Sequence, residues 1–263
     1  MGLFSGLMGF HMVLELCGLG VGVGILSSML GIGGGSFIVP LLVLLGLVGR
    51  AQEAVGTSIF TVFFMGLSAT IAYGRRGTWD WRLALWTVPG ALAGAWGSAS
   101  WSQRISSGVL LVAFGTFLGL MALFMALGQG PGEIGGRPRR YLPYPGGGIL
   151  VGLLAGVTAG LFGLGGGTIM VPGFTLLLGV DIRRSIATSL MVMVPAAAIS
   201  TLEHALQGDT LWDLALPLAL GMLIGGQLGP RIGGHIPRAY LRRLFSLALL
   251  YGALQMILKG LRP

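Results

Sequence analysis

Residues 31–36 read GIGGGS, and residues 163–168 read GLGGGT. Each run interrupts an apolar stretch, and glycine in a helix interior costs about 1 kcal/mol relative to alanine. The chain therefore writes the same helix break twice. Where those breaks sit, and what they do to the direction of the chain, decides the fold.

The solvent comes from composition. Of 263 residues, 54% are hydrophobic and 9% charged, and several apolar runs approach the roughly 20 residues that a bilayer-spanning helix needs. The pattern is that of a polytopic membrane protein in a lipid bilayer. The formal net charge of +8 does not imply a nucleic acid partner, because the 16 Lys and Arg residues fall in short loops between apolar runs, where topology explains them. Cys17 is the only cysteine, which excludes an intramolecular disulfide and a cysteine metal cluster. The opening MGLFSGLMGF lacks the basic stretch of a cleavable signal peptide and is expected to remain in the mature protein.

Apolar segments occupy about 12–30, 36–48, 54–74, 83–99 and 106–128. A stretch rich in Gly, Pro and Arg follows at 129–146 and reads as a cytoplasmic linker. A second series runs at about 147–162, 168–180, 185–203, 211–229 and 239–258. The two series match letter by letter. Gly31, Gly33, Gly34, Gly35 and Pro40 correspond to Gly163, Gly165, Gly166, Gly167 and Pro172. With one residue deleted, Thr57 and Ser58 fall on Thr188 and Ser189, Trp81 on Trp212, and Gly90 and Gly94 on Gly221 and Gly225. The chain is an internal duplication, with a first repeat at 1–128 and a second at 147–263. In the fourth segments the G-x-x-x-G spacing reads as close helix packing.

Basic residues arbitrate the direction of the repeats. If each break merely kinks a long helix, Lys and Arg divide evenly between the two faces. If each break turns the chain back as a hairpin, 12 of the 16 gather in loops 75–82, 129–146, 180–184 and 230–243, leaving Arg50, Arg104, Lys259 and Arg262 on the other face. The positive-inside rule selects the hairpin. Each half then crosses an odd number of times, so the expectation is an all-α membrane protein of two inverted repeats with both termini outside. The loop carrying Glu203 and Asp209 falls outside as well.

Residues 36–48 and 168–180 are then half-helices of about 20 Å, too short for a core of about 30 Å. Pro40 and Pro172 place the helix starts near Ser36 and Thr168, since proline is tolerated best in a first turn. Each break aims free amides and a positive helix end at one point in the membrane, as in the anion site of a secondary transporter. No Arg, Lys, Asp or Glu falls mid-segment, so an anion fits better than a cation. Unwound carbonyls remain compatible with Na⁺. The expected cradle is Gly33, Gly34, Gly35 and Ser36 with Gly165, Gly166, Gly167 and Thr168. Thr57, Ser58, Thr188 and Ser189 are candidate hydroxyl donors, with helix capping or back-bonding as their structural alternative. A bulky residue at Gly34 or Gly166 is expected to abolish binding and leave the fold intact.

The remaining polar residues carry less. His11 and Glu15, four apart, share a helix face as a proton-coupling pair or sit at the outer interface. His204 aligns with Tyr73 near a membrane boundary, and His235 lies in a basic loop. Trp79, Trp81, Trp101 and Trp212 read as an aromatic belt. Arg75 and Arg76, with Arg183, Arg184, Arg242 and Arg243, sit where they attract anions to an inner mouth, although topology alone accounts for them. An enzyme is not expected, because neither His204 nor His235 shares a segment with a plausible partner. A non-transporting assembly factor is the alternative that needs no polar cavity at the breaks, and a carrier or channel for another small organic anion is the second. No cofactor is implied, and coupling to H⁺, coupling to Na⁺ and an uncoupled uniporter or channel-like leak all stand as alternatives.

The doubled pattern GIGGGSFIVP and GLGGGTIMVP, each followed by AVGTS or SIATS and later by GTWDW or GDTLW, resembles the sulfite exporter TauE/SafE family of membrane anion transporters. The resemblance runs from about residue 15 to 258. It implies export of small sulfur-containing anions such as sulfite, thiosulfate or organosulfonates across the bacterial cytoplasmic (inner) membrane.

Overall fold

A computed structural model describes residues 2–126, 142–232 and 238–261, and among the described residues helix is the only regular element. The helices are α1 (Gly2–Leu30), α2 (Gly35–Leu44), α3 (Ala51–Gly74), α4 (Trp81–Ser102), α5 (Ser107–Ala126), α6 (Tyr144–Phe162), α7 (Gly167–Leu176), α8 (Ile182–Leu206), α9 (Trp212–Ile232) and α10 (Arg238–Gly260). They follow the ten apolar segments in order. Six of them are long and apolar enough to cross a membrane. Of the linker expected at 129–146, residues 129–141 lie outside the described residues, and its last three residues belong to α6.

Local chemistry sets the boundaries. Asp80 caps α4 by accepting from the amides of Arg82 and Leu83, both at 3.1 Å, and Asp181 caps α8 by accepting from Arg183 N at 2.9 Å. The short helices α2 and α7 have 10 residues each, three fewer than the sequence pattern implies, or about 15 Å of helix. They stop early because the chain turns at Gly46 and Gly179, which take φ of 68° and 70°. Past α7 the chain is back where α6 began: Leu142 N–H donates to Leu177 O at 2.9 Å. The pair α6–α7 is thus a hairpin.

Corresponding helices meet, and they meet antiparallel. Near the start of α3, Thr57 Oγ1 accepts from Leu211 N at 3.0 Å, just beyond the end of α8; near the start of α8, Thr188 Oγ1 accepts from Asp80 N at 2.9 Å, just beyond the end of α3. In the same sense, a Cβ at Gly108 of α5 would lie 2.8 Å from Gly260 O of α10, and one at Gly115 would lie 2.8 Å from Ala253 O.

The first helix of each half packs along the fourth helix of the other through glycine faces. A Cβ at Gly20 would sit 2.4 Å from Leu218 O, and one at Gly221 would sit 2.0 Å from Cys17 O. In the matching pair, a Cβ at Gly152 would sit 2.2 Å from Thr87 O and one at Gly90 would sit 2.2 Å from Ile149 O. Backbone touches backbone along both seams, the packing that G-x-x-x-G spacing provides.

The connections collect at two ends. At one, Gln52 Nε2 donates to Ile105 O at 2.7 Å, Arg50 pairs with Asp209 at 3.3 Å, and Lys259 Nζ donates to Val43 O. At the other, Arg76 donates to Pro230 O at 2.8 Å and Tyr144 Oη donates to Asp80 Oδ2 at 3.5 Å. Trp81, Trp101 and Trp212 are exposed, with Arg82 and Arg104 stacked on Trp81 and Trp101. Trp79 departs from the expected belt and packs over Gly74, because the tight turn after α3 folds its ring back onto that helix.

Because the obstructing atoms at the α1–α9 and α4–α6 seams are carbonyls, Gly221→Leu and Gly152→Leu each force two helices apart. Each substitution is expected to destabilise by roughly 1–3 kcal/mol, read as a lower Tm in detergent, while Gly18→Leu, where open space surrounds the Cβ position, leaves Tm unchanged.

Candidate anion site at the paired glycine breaks

The two breaks lie directly against each other. A Cβ at Gly33 would fall 2.0 Å from Leu164 O, one at Gly35 would fall 1.9 Å from Gly163 O, and one at Gly167 would fall 2.1 Å from Gly31 O. No side chain fits at these positions. Gly31, Gly33, Gly163, Gly165 and Gly166 also take φ between 65° and 89°, the left-handed region that glycine adopts without cost. Glycine is thus required twice, by backbone angle and by contact.

Residues 31–36 and 163–168 are all buried. Short helices α2 and α7 begin at Gly35 and Gly167, one residue before the expected starts, with Gly34 and Gly166 as N-caps that offer no side-chain bond. Ser36 and Thr168 therefore are not the caps. Ser36 Oγ donates to Gly33 O at 3.3 Å, whereas Thr168 Oγ1 is buried with no hydrogen-bond partner. Pro40 and Pro172 stand one turn deeper than the first turn expected of them. Their missing N–H groups leave the carbonyls of Ser36 and Thr168 without the usual helical donor.

The backbone amides at the breaks hold the clearest signal. The N–H groups of Gly33, Gly34, Gly35 and Ser36, and those of Gly165, Gly166, Gly167 and Thr168, make none of the turn, loop or cap hydrogen bonds recorded among the described residues. Most buried amides in proteins are paired. Two helix N-termini with unpaired amides, buried side by side, form a concentrated positive potential without any ionised side chain.

The four flanking hydroxyls have definite work. Ser58 Oγ donates to Gly163 O at 3.1 Å and Ser189 Oγ to Gly31 O at 3.2 Å, so each half's serine holds the opposite half's break. Thr57 and Thr188 hold the opposite half's loop, as described above. All four are fully buried. Local bonding accounts for only part of this: Ser189 Oγ also back-bonds to Ile186 O at 2.8 Å, three residues earlier in its own helix, while Thr57 and Thr188 accept from the opposite half instead of donating as expected. Around the breaks the lining is apolar and pliable: Met222 approaches Gly34, and Val62 and Met193 approach Gly165.

Gly34 and Gly166 differ in what they tolerate. At Gly34, φ is −73° and the obstructing group is the Met222 side-chain end, which can move; at Gly166, φ is +80° and the obstruction is Ala155 backbone. The expectation that both accept a larger residue with the fold intact therefore narrows to Gly34, and Gly166 is excluded from it by its backbone angle and backbone contact.

A cluster that sequence reasoning missed lies at the Arg50 end. His204 and Asp209 are fully buried, and His204 Nδ1 approaches Asp209 Oδ2 at 3.4 Å. Asp209 also accepts from Arg50 at 3.3 Å and Gln103 at 2.6 Å. The five-residue separation of His204 and Asp209 was visible, but the turn at Gly208 that folds them together was not. His11 and Glu15 are both exposed, and His235 lies outside the described residues. Arg75, Arg76 and Arg231, with Ala72, Gln227 and Pro230, line a cleft of about 110 Å³ at the opposite end.

The sequence pattern described as Sulfite exporter TauE/SafE matches residues 16–256. The chain belongs to the TauE/SafE family. It is 30% identical to a probable membrane transporter protein, YunE, of Bacillus subtilis, over 92% of this chain and 96% of that protein. It is also 30% identical to a probable membrane transporter protein of Methanocaldococcus jannaschii, over 90% of this chain and 92% of that one. A shorter match, 26% identical over 41% of this chain and 25% of the relative, reaches a sulfite exporter TauE/SafE family protein of Arabidopsis thaliana. The protein is a membrane transporter of the TauE/SafE family, and the names of its relatives fit a chain that is not an enzyme.

If Ser58 and Ser189 hold the breaks in place, Ser58→Ala and Ser189→Ala should each destabilise by about 1 kcal/mol, and the double variant by about the sum, in thermal unfolding of the purified protein. Ser100→Ala, which removes an exposed hydroxyl bonded within its own helix, is the control expected to change nothing.

Proposed function

We propose that this TauE/SafE transporter exports small sulfur-containing anions, of the class of sulfite, thiosulfate and organosulfonates, and binds them between the two glycine breaks. Secondary transport by alternating access is the mechanism, with the halves 1–128 and 147–263 acting as inverted repeats joined by a cytoplasmic linker. The site draws on the amides of Gly33, Gly34, Gly35, Gly165, Gly166 and Gly167 with Ser36 and Thr168, flanked by Thr57, Ser58, Thr188 and Ser189. The observation that carries the reading is the set of buried amides at both breaks with no hydrogen-bond partner among the described residues, beside the unpartnered Thr168 hydroxyl.

Several features support the inversion. Corresponding helices α3 and α8 run antiparallel, as do α5 and α10, and α6–α7 returns to the level at which it began. The positive-inside count favours the same arrangement, and among the described residues Arg75, Arg76 and Arg231 share one end while Arg50 and Lys259 lie at the other. On this reading the arginine end is cytoplasmic, the Arg50 end and both termini lie outside, and the membrane is the bacterial cytoplasmic membrane. The contact between breaks then corresponds to a closed state, and binding parts them enough to admit an anion. Met193 and Met222 suit such a change because methionine repacks easily.

Titrating purified protein with sulfite, thiosulfate, sulfate, sulfoacetate, taurine and chloride in parallel tests the substrate class. Selective thermal stabilisation by one sulfur anion is expected, and a flat response to all of them overturns the reading. Thr168→Val preserves shape and removes an unpartnered buried hydroxyl, so it is expected to leave Tm unchanged or slightly raised and to weaken binding of the stabilising anion. Undiminished affinity would remove Thr168 from the site.

A further inference from the structure

The His204–Asp209 pair breaks the symmetry of the scaffold. In the first half, Tyr73 Oη donates to Ser28 O at 3.3 Å, one turn before the break, and Thr78 Oγ1 donates to Tyr73 O at 3.1 Å. In the second half the matching positions hold His204, whose Nε2 lies 2.9 Å from Gly160 O one turn before the other break, and Asp209. The first half places a phenol and an alcohol at these positions, and the second an imidazole and a carboxylate, two groups whose chemistry lets them share a proton.

The geometry fixes where protons must be. A carbonyl only accepts, so the 2.9 Å contact with Gly160 O puts a hydrogen on His204 Nε2. His204 Nδ1 then faces Asp209 Oδ2 at 3.4 Å. With no further proton, a lone pair would point at a carboxylate oxygen in a fully buried place. One additional proton between them turns that repulsion into a hydrogen bond. We infer that His204 and Asp209 bind one exchangeable proton, and that this proton latches the Arg50 end of the transporter shut.

The latch works through named contacts. Asp209 sits in the α8–α9 loop, and its backbone carbonyl carbon and oxygen lie 3.0 and 2.7 Å from where a Cβ on Gly56 would be. Two residues on, Leu211 N–H donates to Thr57, whose neighbour Ser58 holds Gly163. On the other side of His204, Gly160 lies on the last turn of α6 before the same Gly163. The pair therefore joins the loop, α3 and α6 at one point. When the proton leaves for water, Nδ1 and Oδ2 repel and the loop loses its tie to α6. The charged groups facing the pair are few. Asp209 faces His204 from the loop, Arg50 faces Asp209 from the start of α3 and is shared with Glu53, Gln103 contributes a neutral amide from the end of α4, and α6 contributes only the Gly160 carbonyl.

The latch assignment rests on the transport reading above, whereas the proton site itself does not. In the full chain carrying His11→Gln and His235→Gln, ¹⁵N spectra report the one remaining imidazole. His204 is expected to carry hydrogen on both ring nitrogens at low pH and to lose the Nδ1 hydrogen in one step as pH rises, with an apparent value belonging to the pair. A ring that stays a neutral Nε2–H tautomer throughout overturns the proposal. In the second arm, thiosulfate exchange is measured in liposomes at equal pH on both sides, between about pH 5.5 and 8.5. Exchange should rise severalfold with pH in the parent protein and lie flat in the double variant His204→Tyr, Asp209→Thr. That variant borrows the residues of the first half, and its Tm verifies that it folds. A folded double variant that keeps the pH dependence overturns the latch. Absence of thiosulfate exchange in the parent counts against the substrate reading, and the ¹⁵N titration still decides the proton site.

Discussion

Inside a bilayer no backbone amide or carbonyl finds water, so irregular chain at membrane depth survives only where protein covers it. That constraint organises the whole molecule. Two glycine breaks expose backbone at Gly31–Gly34 and Gly163–Gly166, and the fold covers each with the other. The covering works only if backbone approaches backbone, and Gly33, Gly35 and Gly167 have no room for a Cβ. Serines from the opposite half then complete the carbonyls, Ser58 for Gly163 and Ser189 for Gly31. The first carbonyl of each break is thus satisfied from the opposite half. The amides on the other side of each break are the groups that the proposed site offers to an anion.

The glycine seams follow from the same need. For the breaks to meet at the centre, α1 and α6 must reach it from opposite halves, each wedged against the fourth helix of the other. Side chains at Gly20, Gly90, Gly152 or Gly221 would hold those helices apart and pull the breaks away from each other. Among the described residues, most glycines sit where another helix or loop leaves no room for a Cβ, so their role there is contact, not flexibility.

Much of this was legible in the sequence because membrane segments announce themselves by length and hydropathy, and because a duplicated motif is its own alignment. The ten segments, the break positions and the cross-half equivalence of Thr57–Ser58 with Thr188–Ser189 all come from letters and spacing. What spacing does not carry is direction in three dimensions. Ser58 and Ser189 read as free donors, yet their partners sit across the pseudo-symmetric interface, and no local rule reaches that far. Pro40 and Pro172 mark helix starts only to within a turn. His204 and Asp209 escaped for a related reason: the residues are five apart, and the turn at Gly208 that brings them together depends on the α8–α9 loop seating on α3.

The division between symmetric and asymmetric parts has a mechanistic consequence. A carrier made of two equivalent halves has no built-in preference between its inward and outward shapes, since exchanging the halves exchanges the states. Any preference must come from positions where the halves differ. The Tyr73–Thr78 and His204–Asp209 pairs occupy matching places one turn from matching breaks, and they differ in the property that responds to the surroundings, the ability to hold a proton. Buried pairs of this kind usually add little net stability compared with an apolar replacement, so stability alone is a weak reason for the second half to carry one. A difference in responsiveness between the two ends is a sufficient reason, because it lets conditions on one face set which of two otherwise equal shapes prevails.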